Sequence, residues 1–351
     1  ARSRPASARL PPMARSSDKK SSKKKDDEKP SKSEAKKPSK KSDEKERKQQ
    51  RDEDGGGARE ATTPVSDLLR VPPGPVDLSA VPADATPGFD GTSEEGEEAR
   101  LALAEEIEAA QAPEIEQIAD LQERLFADGR SGGTRSLLLV LQGMDTSGKG
   151  GTMRHSVGLL DPQGVDITAF KAPTDDEKRR GFLWRIQQRL PDVGMVGIFD
   201  RSHYEDVLIG RVRNLAGAST IEDRYGTINA FEADLVEHGV TVIKCMLHIS
   251  YEEQGARLLE RLDNPEKHWK FNPGDVDERK LWSDYQRAYE IALERCNTDH
   301  APWYVVPSDR KWYRNWAVTH LLLEHLRALD LGWPEADFDV DHERARLLAL
   351  D

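Results

Sequence analysis

Cysteine is nearly absent from this sequence. The 351 residues include two cysteines, Cys245 and Cys296, and neither belongs to a spacing that is typical of metal ligands. This usage excludes a disulfide framework and favours two reduced thiols in a cytosolic protein. Histidine is also sparse, and the spacing of the nine histidines provides no pair of zinc ligands.

Long apolar runs are missing as well. No stretch approaches the ~18 apolar residues of a membrane span. The basic N-terminal region lacks the apolar segment of a secretory signal. The sequence therefore predicts a cytoplasmic protein that does not associate with membranes.

The charges are distributed unevenly along the chain. The formal net charge is −12, yet residues 1–60 carry 20 Lys and Arg against 12 Asp and Glu, a net +8, which leaves −20 for the remainder. Residues 1–92 are rich in Lys, Ser, Glu, Pro and Gly, a composition typical of disorder. We expect a solvated tail, and the alternative is a basic segment that binds a polyanion such as polyphosphate or nucleic acid. The interspersed acids favour the solvated tail and argue against nucleic acid as a partner.

Beyond residue 92, apolar segments of strand length alternate with segments of helical periodicity. Such alternation predicts parallel β-α units and an open sheet covered on both faces. We expect an α/β, three-layer αβα domain over residues 93–335, built on a five-stranded parallel sheet, and a C-terminal tail over 336–351. The predicted helices include two within residues 93–128, divided at Pro113, and the segments Asp175–Leu190, Tyr204–Arg213 and Asp275–Arg295.

A phosphate-binding loop follows the first predicted strand. Its glycines and lysine fit the Walker A spacing, in which backbone N–H groups converge on phosphate oxygens and the lysine adds a mobile cation. An accidental glycine-rich turn is the alternative, but the strand before the loop and the helix after it argue against that. The loop residues are Gly143, Thr146, Ser147, Gly148, Lys149, Gly150, Gly151 and Thr152.

The loop departs from the usual pattern at one position. Gly150 stands where a serine or threonine normally holds Mg²⁺, and a carboxylate, Asp145, lies inside the loop. This exchange predicts that carboxylates hold the metal ion and that a polyanion lies against an open glycine surface.

The third predicted strand ends on Asp200, which is the Walker B arrangement. We expect Asp200 to reach Mg²⁺ and Arg201 to project into the same cleft. The alternatives are a helix N-cap for Asp200 and a surface ion pair for Arg201. Glu205 and Asp206 open the next predicted helix, where the helix dipole also favours acids, so a catalytic and a purely local role stay equally open for both.

A basic stretch with a tryptophan interrupts the acidic domain over about 252–295. It contains Arg257, Arg261, Lys267 and Lys270. Cations that close over a transferring phosphoryl group stabilise its charge and exclude water. We interpret the stretch as a lid, and charges on a solvated helix face are the alternative.

Two further features flank the predicted cleft. Lys171 is expected to bind the acceptor or a long anion, with a solvated charge as the equal alternative. Tyr285 and Tyr289 recur at helical spacing, which indicates core packing or, for one of them, stacking on a base.

Three ordered motifs, at residues 143–152, 199–208 and 267–275, resemble those of the polyphosphate kinase 2 family. The similarity extends over about 93–335. It implies a thymidylate-kinase-like P-loop fold with a helical lid, Mg²⁺ as the cofactor, and transfer of phosphoryl groups between inorganic polyphosphate and nucleotides.

The resemblance also implies roles for individual residues. Asp145 and Asp200 would organise Mg²⁺ and the acceptor phosphate, and Lys149 would hold the transferring phosphate. Arg201 and Arg261 would neutralise the transition state. Polyphosphate and nucleotide would be bound along the cleft by Lys171, Glu205, Arg211, Arg257, Lys267 and Lys270.

The segment Tyr204–Leu208 and the lid motif resemble the subgroup that phosphorylates both AMP and ADP. The expected acceptors are therefore AMP and ADP, or GDP, and the resemblance further implies a homo-oligomer, either a dimer or a tetramer. Two other functions stay open. One is an ATP-dependent nucleotide kinase of the same fold, and the other is a polyanion-binding protein that acts through its basic tail.

Overall fold

The computed structural model describes residues 63–88 and 112–350, and most of the segment predicted as a helix before Pro113 lies outside them. The described residues form a five-stranded sheet in the order β2-β3-β1-β4-β5, in which every neighbouring pair is parallel. The strands are β1 (Ser136–Gln142), β2 (Val165–Ala169), β3 (Val196–Asp200), β4 (Val240–His248) and β5 (Trp303–Pro307).

Helices connect the strands and flank the sheet. In the described part of the chain they are α1 (Val65–Leu69), α2 (Ala112–Arg130), α3 (Lys149–His155), α4 (Asp175–Lys178), α5 (Trp184–Gln187), α6 (Ile209–Val212), α7 (Ala218–Glu237), α8 (Tyr251–Asp263), α9 (Gly274–Arg279), α10 (Trp282–Arg295), α11 (Lys311–Ala328) and α12 (Val340–Leu348).

Both faces of the sheet are covered, because β1 is apolar at every position except its ends and successive side chains point to opposite faces. Leu138 and Val140 join an apolar core that includes residues of α7 and α10. Leu137 and Leu139 join a second core that includes residues of α2 and α11. The prediction of a three-layer αβα fold with a five-stranded parallel sheet is confirmed.

Three predicted long helices are interrupted in the structure. The segment Asp175–Leu190 forms α4 and α5, because a Thr174 capping box starts a helix that ends within one turn, well before α5 begins. The segment Tyr204–Arg213 forms a 3₁₀ turn, His203–Asp206, and then α6. The segment Asp275–Arg295 breaks at Leu281, whose backbone (φ −98°, ψ 19°) leaves the helical region between α9 and α10.

Residues 63–88, which the composition assigned to the tail, pack against the domain. We call this segment the strap. Val71 N–H donates to the carbonyl of Trp303 on the edge strand β5, and Glu324 on α11 accepts from the N–H groups that start α1. Leu69 and Leu78 are buried. The predicted boundary at residue 92 therefore differs from the structure, because the few apolar residues of this segment cover the open edge of the sheet.

The C-terminal segment predicted as a tail contains α12, which buries none of its residues. Among the described residues, no helix combines the length and the apolar character needed to cross a bilayer.

Candidate active site

The phosphate loop joins the central strand β1 to α3. It lies at the carboxyl ends of the parallel strands, where ligands usually bind in such sheets. Its backbone is left-handed at Gly143 (φ 153°) and Gly148 (φ 115°), where glycine avoids strain. Thr146 also has a positive φ, 65°, which is strained for a β-branched residue. Within the described residues, the buried hydroxyls of Thr146 and Ser147 have no hydrogen-bond partner. The loop thus combines strain and unpaired donors where the sequence predicts a phosphate.

Lys149 starts α3 and folds its side chain back over the loop. Its Nζ donates to the carbonyl of Gly143 at 2.8 Å. Burial and the neighbouring Arg201 lower the pKa of Lys149, and Asp145 and Asp200 oppose that shift. The ammonium group is therefore desolvated beside two carboxylates, an arrangement suited to binding phosphate together with a metal ion.

Asp145 and Arg201 form an ion pair at the mouth of the loop. Arg201 Nη2 donates to Asp145 Oδ1 at 2.9 Å, and Arg201 Nη1 lies 4.0 Å from Glu205 Oε2. A left-handed backbone (φ 64°) places Arg201, and its N–H donates to the carbonyl of Leu141 in β1. Burial opposes the charge of Arg201, but Glu205 and Asp145 raise its pKa above the ordinary value. Sequence-distant motifs thus meet in one charged cluster.

Glu205 faces this cluster from the 3₁₀ turn that follows β3. Burial raises the pKa of Glu205, although Arg201 and Lys149 act in the opposite direction. With its amide oriented to satisfy both neighbours, Gln142 donates to Glu205 Oε1 at 3.0 Å and accepts from the N–H of Ser202 at 3.0 Å. Glu205 is therefore held within the site.

A cavity of about 230 Å³ lies between the loop and the predicted lid, and we call it the loop cavity. Four predicted site residues reach it: Gly143, Asp145, Arg201 and Glu205. Sequence reasoning missed most of its opposite wall, which comprises Asn272, Gly274, Asp275, Glu278, Tyr285 and Tyr289. Tyr285 and Tyr289 are both buried and both line the cavity. Helical spacing alone therefore could not distinguish core packing from contact with a ligand.

A second cavity, of about 550 Å³, adjoins the first and shares Glu205 and Ile209 with it. We call it the side cavity. Phe182 and Leu215 give it an apolar part, and several arginines give it a basic part. Its other lining residues are Ala172, Pro173, Glu177, Lys178, Arg180, Arg185, Asp206, Gly210 and Arg224.

The lid cations are bound mainly to other lid residues. Arg261 donates to Asp275 Oδ2 at 3.2 Å, and Asp275 in turn lines the loop cavity. Lys267 pairs with Glu260. Lys270 Nζ lies 5.0 Å from the centre of the Trp269 ring, which is 79% exposed.

None of the five predicted substrate-binding cations lines either cavity: besides Lys267 and Lys270, this holds for Arg257, Arg211 and Lys171. Arg257 is buried behind the loop, where its guanidinium donates to the carbonyls of Thr146, at 2.9 Å, and Ser308, at 2.7 Å. Arg211 is paired with Glu222 on α7 at 2.8 Å. Lys171 is exposed. Arg257 is thus a structural brace of the loop, because carbonyl groups far away in sequence take up its donors.

A buried polar network forms the floor of the site, and sequence reasoning missed it. Lys244 on β4 donates to Glu232 Oε2 on α7 at 2.6 Å and to the hydroxyl of Tyr204 at 3.0 Å. Glu232 also accepts from Tyr204 and pairs with His203. Tyr204 and His203 belong to the same turn as Glu205. The sequence pattern that could have predicted this network is a lysine within an apolar strand, Val-Ile-Lys-Cys-Met, because a buried lysine needs a polar partner.

The carboxylates near Lys149 fit a magnesium ion. In the described residues, no group of three or more metal-ligating side chains is arranged to hold a metal. Mg²⁺ in phosphoryl-transfer sites is held by one or two carboxylates, with water and substrate phosphates completing its shell. Asp145 and Asp200 can supply these one or two carboxylates. The absence of a complete set of protein ligands among the described residues is therefore consistent with a magnesium site of this kind.

The sequence matches the family model described as polyphosphate kinase 2 over residues 103–331. The chain belongs to the polyphosphate kinase 2 family. The prediction made from the three motifs, an enzyme that transfers phosphoryl groups between polyphosphate and nucleotides, is confirmed.

Relatives of known name and structure agree with this family. A protein of Meiothermus ruber named AMP/ADP-polyphosphate phosphotransferase is 43% identical over 266 residues, which cover 76% of this chain and 94% of that protein. An ADP-polyphosphate phosphotransferase of Rhodopseudomonas palustris is 38% identical and matches 63% of this chain and 80% of its own length. The crystal structure of polyphosphate kinase 2 from Arthrobacter aurescens TC1 has a TM-score of 0.76 and 50% identity, covering 83% of this chain and 99% of that one.

Proposed function

We propose that this polyphosphate kinase phosphorylates both AMP and ADP, forming ADP and ATP, with Mg²⁺ as its cofactor. The proposal rests chiefly on the cluster of Asp145, Arg201 and Glu205 beside Lys149, at the junction of two cavities. Phosphates of both substrates can meet there. The name of the Meiothermus ruber relative, AMP/ADP-polyphosphate phosphotransferase, supports the two acceptors.

The side cavity is proposed to hold the nucleoside part of the acceptor. Its volume, about 550 Å³, falls in the range of small-molecule sites, and it shares Glu205 and Ile209 with the loop cavity. Phe182 and Leu215 offer apolar surface to a base, and Arg180 and Arg224 offer positive charge to a phosphate ester. Phe182 and Leu215 could contact the face of either purine, so GDP is a third acceptor to test.

The reaction needs positioning and charge neutralisation. A terminal phosphate oxygen of the nucleotide attacks the terminal phosphorus of polyphosphate, the bridging P–O bond breaks, and the polymer leaves one unit shorter. Lys149 exchanges its bond to the Gly143 carbonyl for a phosphate oxygen. Arg201, held between Asp145 and Glu205, balances the charge that spreads over the transferring group.

The remaining groups organise the reactants. Mg²⁺, held by Asp145 and Asp200, would neutralise phosphate charge. The lid residues Asp275 and Tyr289 close one side of the loop cavity and limit access of water. No covalent enzyme intermediate is required.

The direct test is an assay with long-chain polyphosphate, Mg²⁺ and one nucleotide at a time. AMP and ADP should each be phosphorylated, and ATP without polyphosphate should not serve as the donor. Replacing Lys149 or Asp200 with Ala should lower kcat/KM by about 10²–10³-fold, a common cost of losing one transition-state contact.

Lys280→Ala is the matched control, because Lys280 pairs with Asp277 on the lid surface and does not line the loop cavity. It should retain full activity. Full activity of Lys149→Ala would refute the site assignment, and phosphorylation of AMP by ATP alone would favour the ATP-dependent kinase. The predicted oligomer and the cytoplasmic location stay predictions.

A further inference from the structure

A second arginine lies behind the phosphate loop, on α11. Arg314 is 3% exposed. Its Nη1 is 3.4 Å from the carbonyl oxygen of Ser147, and its Nε and Nη2 donate to Asn315 Oδ1 at 3.2 and 2.7 Å. Among the described residues, no carboxylate pairs with Arg314, so its charge is buried without a counter-charge.

The loop backbone is shaped to accept this guanidinium. A Cβ on Gly148 would lie 1.8 Å from Arg314 Nη1, and a Cβ on Gly151 would lie 2.4 Å from Nη2. Both glycines are therefore needed for the arginine to reach the loop. Gly150 differs, because a Cβ there would meet nothing within 4 Å. The double glycine thus serves two purposes: Gly151 admits the cation, and Gly150 leaves open space.

A second cation, Arg257, makes the burial of the Arg314 charge less favourable. Arg257 also donates to the carbonyl of Ser147, from the direction of α8. Burial, together with the charge of Arg257, lowers the pKa of Arg314 to about 10, so Arg314 is still protonated at neutral pH. Arg257 pairs with Glu253 at 2.7 Å, whereas Arg314 has no carboxylate partner among the described residues, and an unpaired buried charge beside a second cation destabilises the folded protein. Stability therefore does not account for Arg314, whereas perturbed charges are common at functional sites.

We propose that Arg314 is a positioning residue of the phosphate loop, whose buried charge is balanced by the polyphosphate bound on the loop. It acts through the loop backbone, which lies between its guanidinium and the bound anion. The inference rests on the proposed function, because it requires the loop to bind polyphosphate.

The test measures binding of inorganic tripolyphosphate by calorimetry at a fixed concentration of free Mg²⁺. Arg314→Met should weaken binding on the order of tenfold, as expected for the loss of one nearby charge in a partly screened site. Arg327→Met is the matched control. It removes the same charge from the same helix, but Arg327 is exposed and contacts Gln117. It should leave binding unchanged.

Arg314→Lys tests the charge itself, even if Arg314→Met fails to fold. A buried lysine loses its proton at lower pH than arginine does. The ratio of the variant's Kd to that of the native protein should therefore rise between pH 7 and pH 9.5. A residue with a purely structural role would give a constant ratio.

The outcomes separate the two proposals. If the native protein does not bind tripolyphosphate, the proposed function of the loop fails. If the native protein binds it, but Arg314→Lys shows a constant ratio, the inference about Arg314 is wrong and the function stands. A folded Arg314→Met variant with native affinity would overturn the inference in the same way.

Discussion

The floor and the lid of this active site are both held by ion pairs, but water reaches only the pairs of the lid. In the floor, Lys244 and Glu232 are both fully buried, 2.6 Å apart. In the lid, Glu278 pairs with Arg213 at 2.6 Å, and these side chains are 26% and 40% exposed. The two pairs have the same distance but differ in energy, because removing one partner of a buried pair destabilises a protein much more than removing one partner of an exposed pair.

The difference matches what each region has to do. The floor carries the turn that holds Glu205, and the strap closes the far edge of the same sheet, so this part must keep one geometry. The predicted lid would have to open to admit substrate and close to exclude water. Exposed pairs can break and re-form at little cost, whereas a buried pair cannot.

Removing the strap should cause the largest loss of stability. A chain that starts at residue 89 lacks the buried side chains Val65, Leu69, Val71 and Leu78. Each contributes roughly 1.5–3 kcal/mol, so we expect the free energy of unfolding to fall by more than about 4 kcal/mol, with aggregation through the uncovered edge of β5. Urea denaturation measures this.

The control is a chain that starts at residue 63, which keeps the strap. It should match the full-length protein in both stability and activity. Equal stability of the two truncated chains would show that the strap is dispensable. The same pair of chains tests the idea of a polyanion-binding tail, since that idea requires activity to be lost already in the chain that starts at residue 63.

Breaking the floor pair should have the next largest effect. Glu232→Gln leaves Lys244 buried without its counter-charge, and such a change costs about 3–5 kcal/mol. Glu222→Gln on the same helix is the control, because Glu222 is 44% exposed and its removal should cost less than about 1 kcal/mol. Similar losses in the two variants would contradict the contrast between buried and exposed pairs.

The floor pair also predicts a pH dependence. Burial acts to raise the pKa of Glu232, but Lys244 and His203 outweigh it and hold that pKa below its ordinary value. The folded protein therefore binds fewer protons at this site than the unfolded chain does. Its contribution to stability should be complete above about pH 4.5 and lost as the pH falls through the folded pKa, and Glu232→Gln should lack this component.

Sequence reasoning succeeded where the chemistry is local. The phosphate loop and the strand that ends on Asp200 are each contained in about ten consecutive residues, and alternating strands and helices predict a sheet that brings their ends together. This is why Asp145 and Arg201 were both expected in one cleft. The missing hydroxyl at Gly150 also points to carboxylates as the metal ligands, and that assignment stays a prediction.

It failed where the partner of a side chain is distant in sequence. Arg257 was predicted to bind substrate, but carbonyl groups of the loop and of Ser308 take up its donors. Arg314 sits within the aromatic run Trp-Tyr-Arg-Asn-Trp, and its position against Gly151 depends on how α11 packs. The strap has the composition of a tail, and its apolar residues find a place to bury only after β5, α10 and α11 have come together in the folded domain.

The smallest effect is expected at the lid. Arg213→Met removes the two hydrogen bonds that Nε and Nη2 of Arg213, at the end of α6, donate to Glu278 Oε1 on α9, and should leave the melting temperature nearly unchanged. Because Glu278 lines the loop cavity, the closed lid should become less populated, and KM for polyphosphate should rise by at most about fivefold, the range measured for exposed ion pairs. Lys280→Met breaks an exposed pair inside the lid and should not change KM. Salt screens both the exposed pair and the attraction between the polyanion and the protein, so high salt should raise KM in both proteins and bring the ratio of the Arg213→Met KM to the native KM towards one. If Arg213→Met instead unfolded the protein, or if this ratio did not change with salt, the lid pair would belong with the rigid floor and the contrast would be wrong.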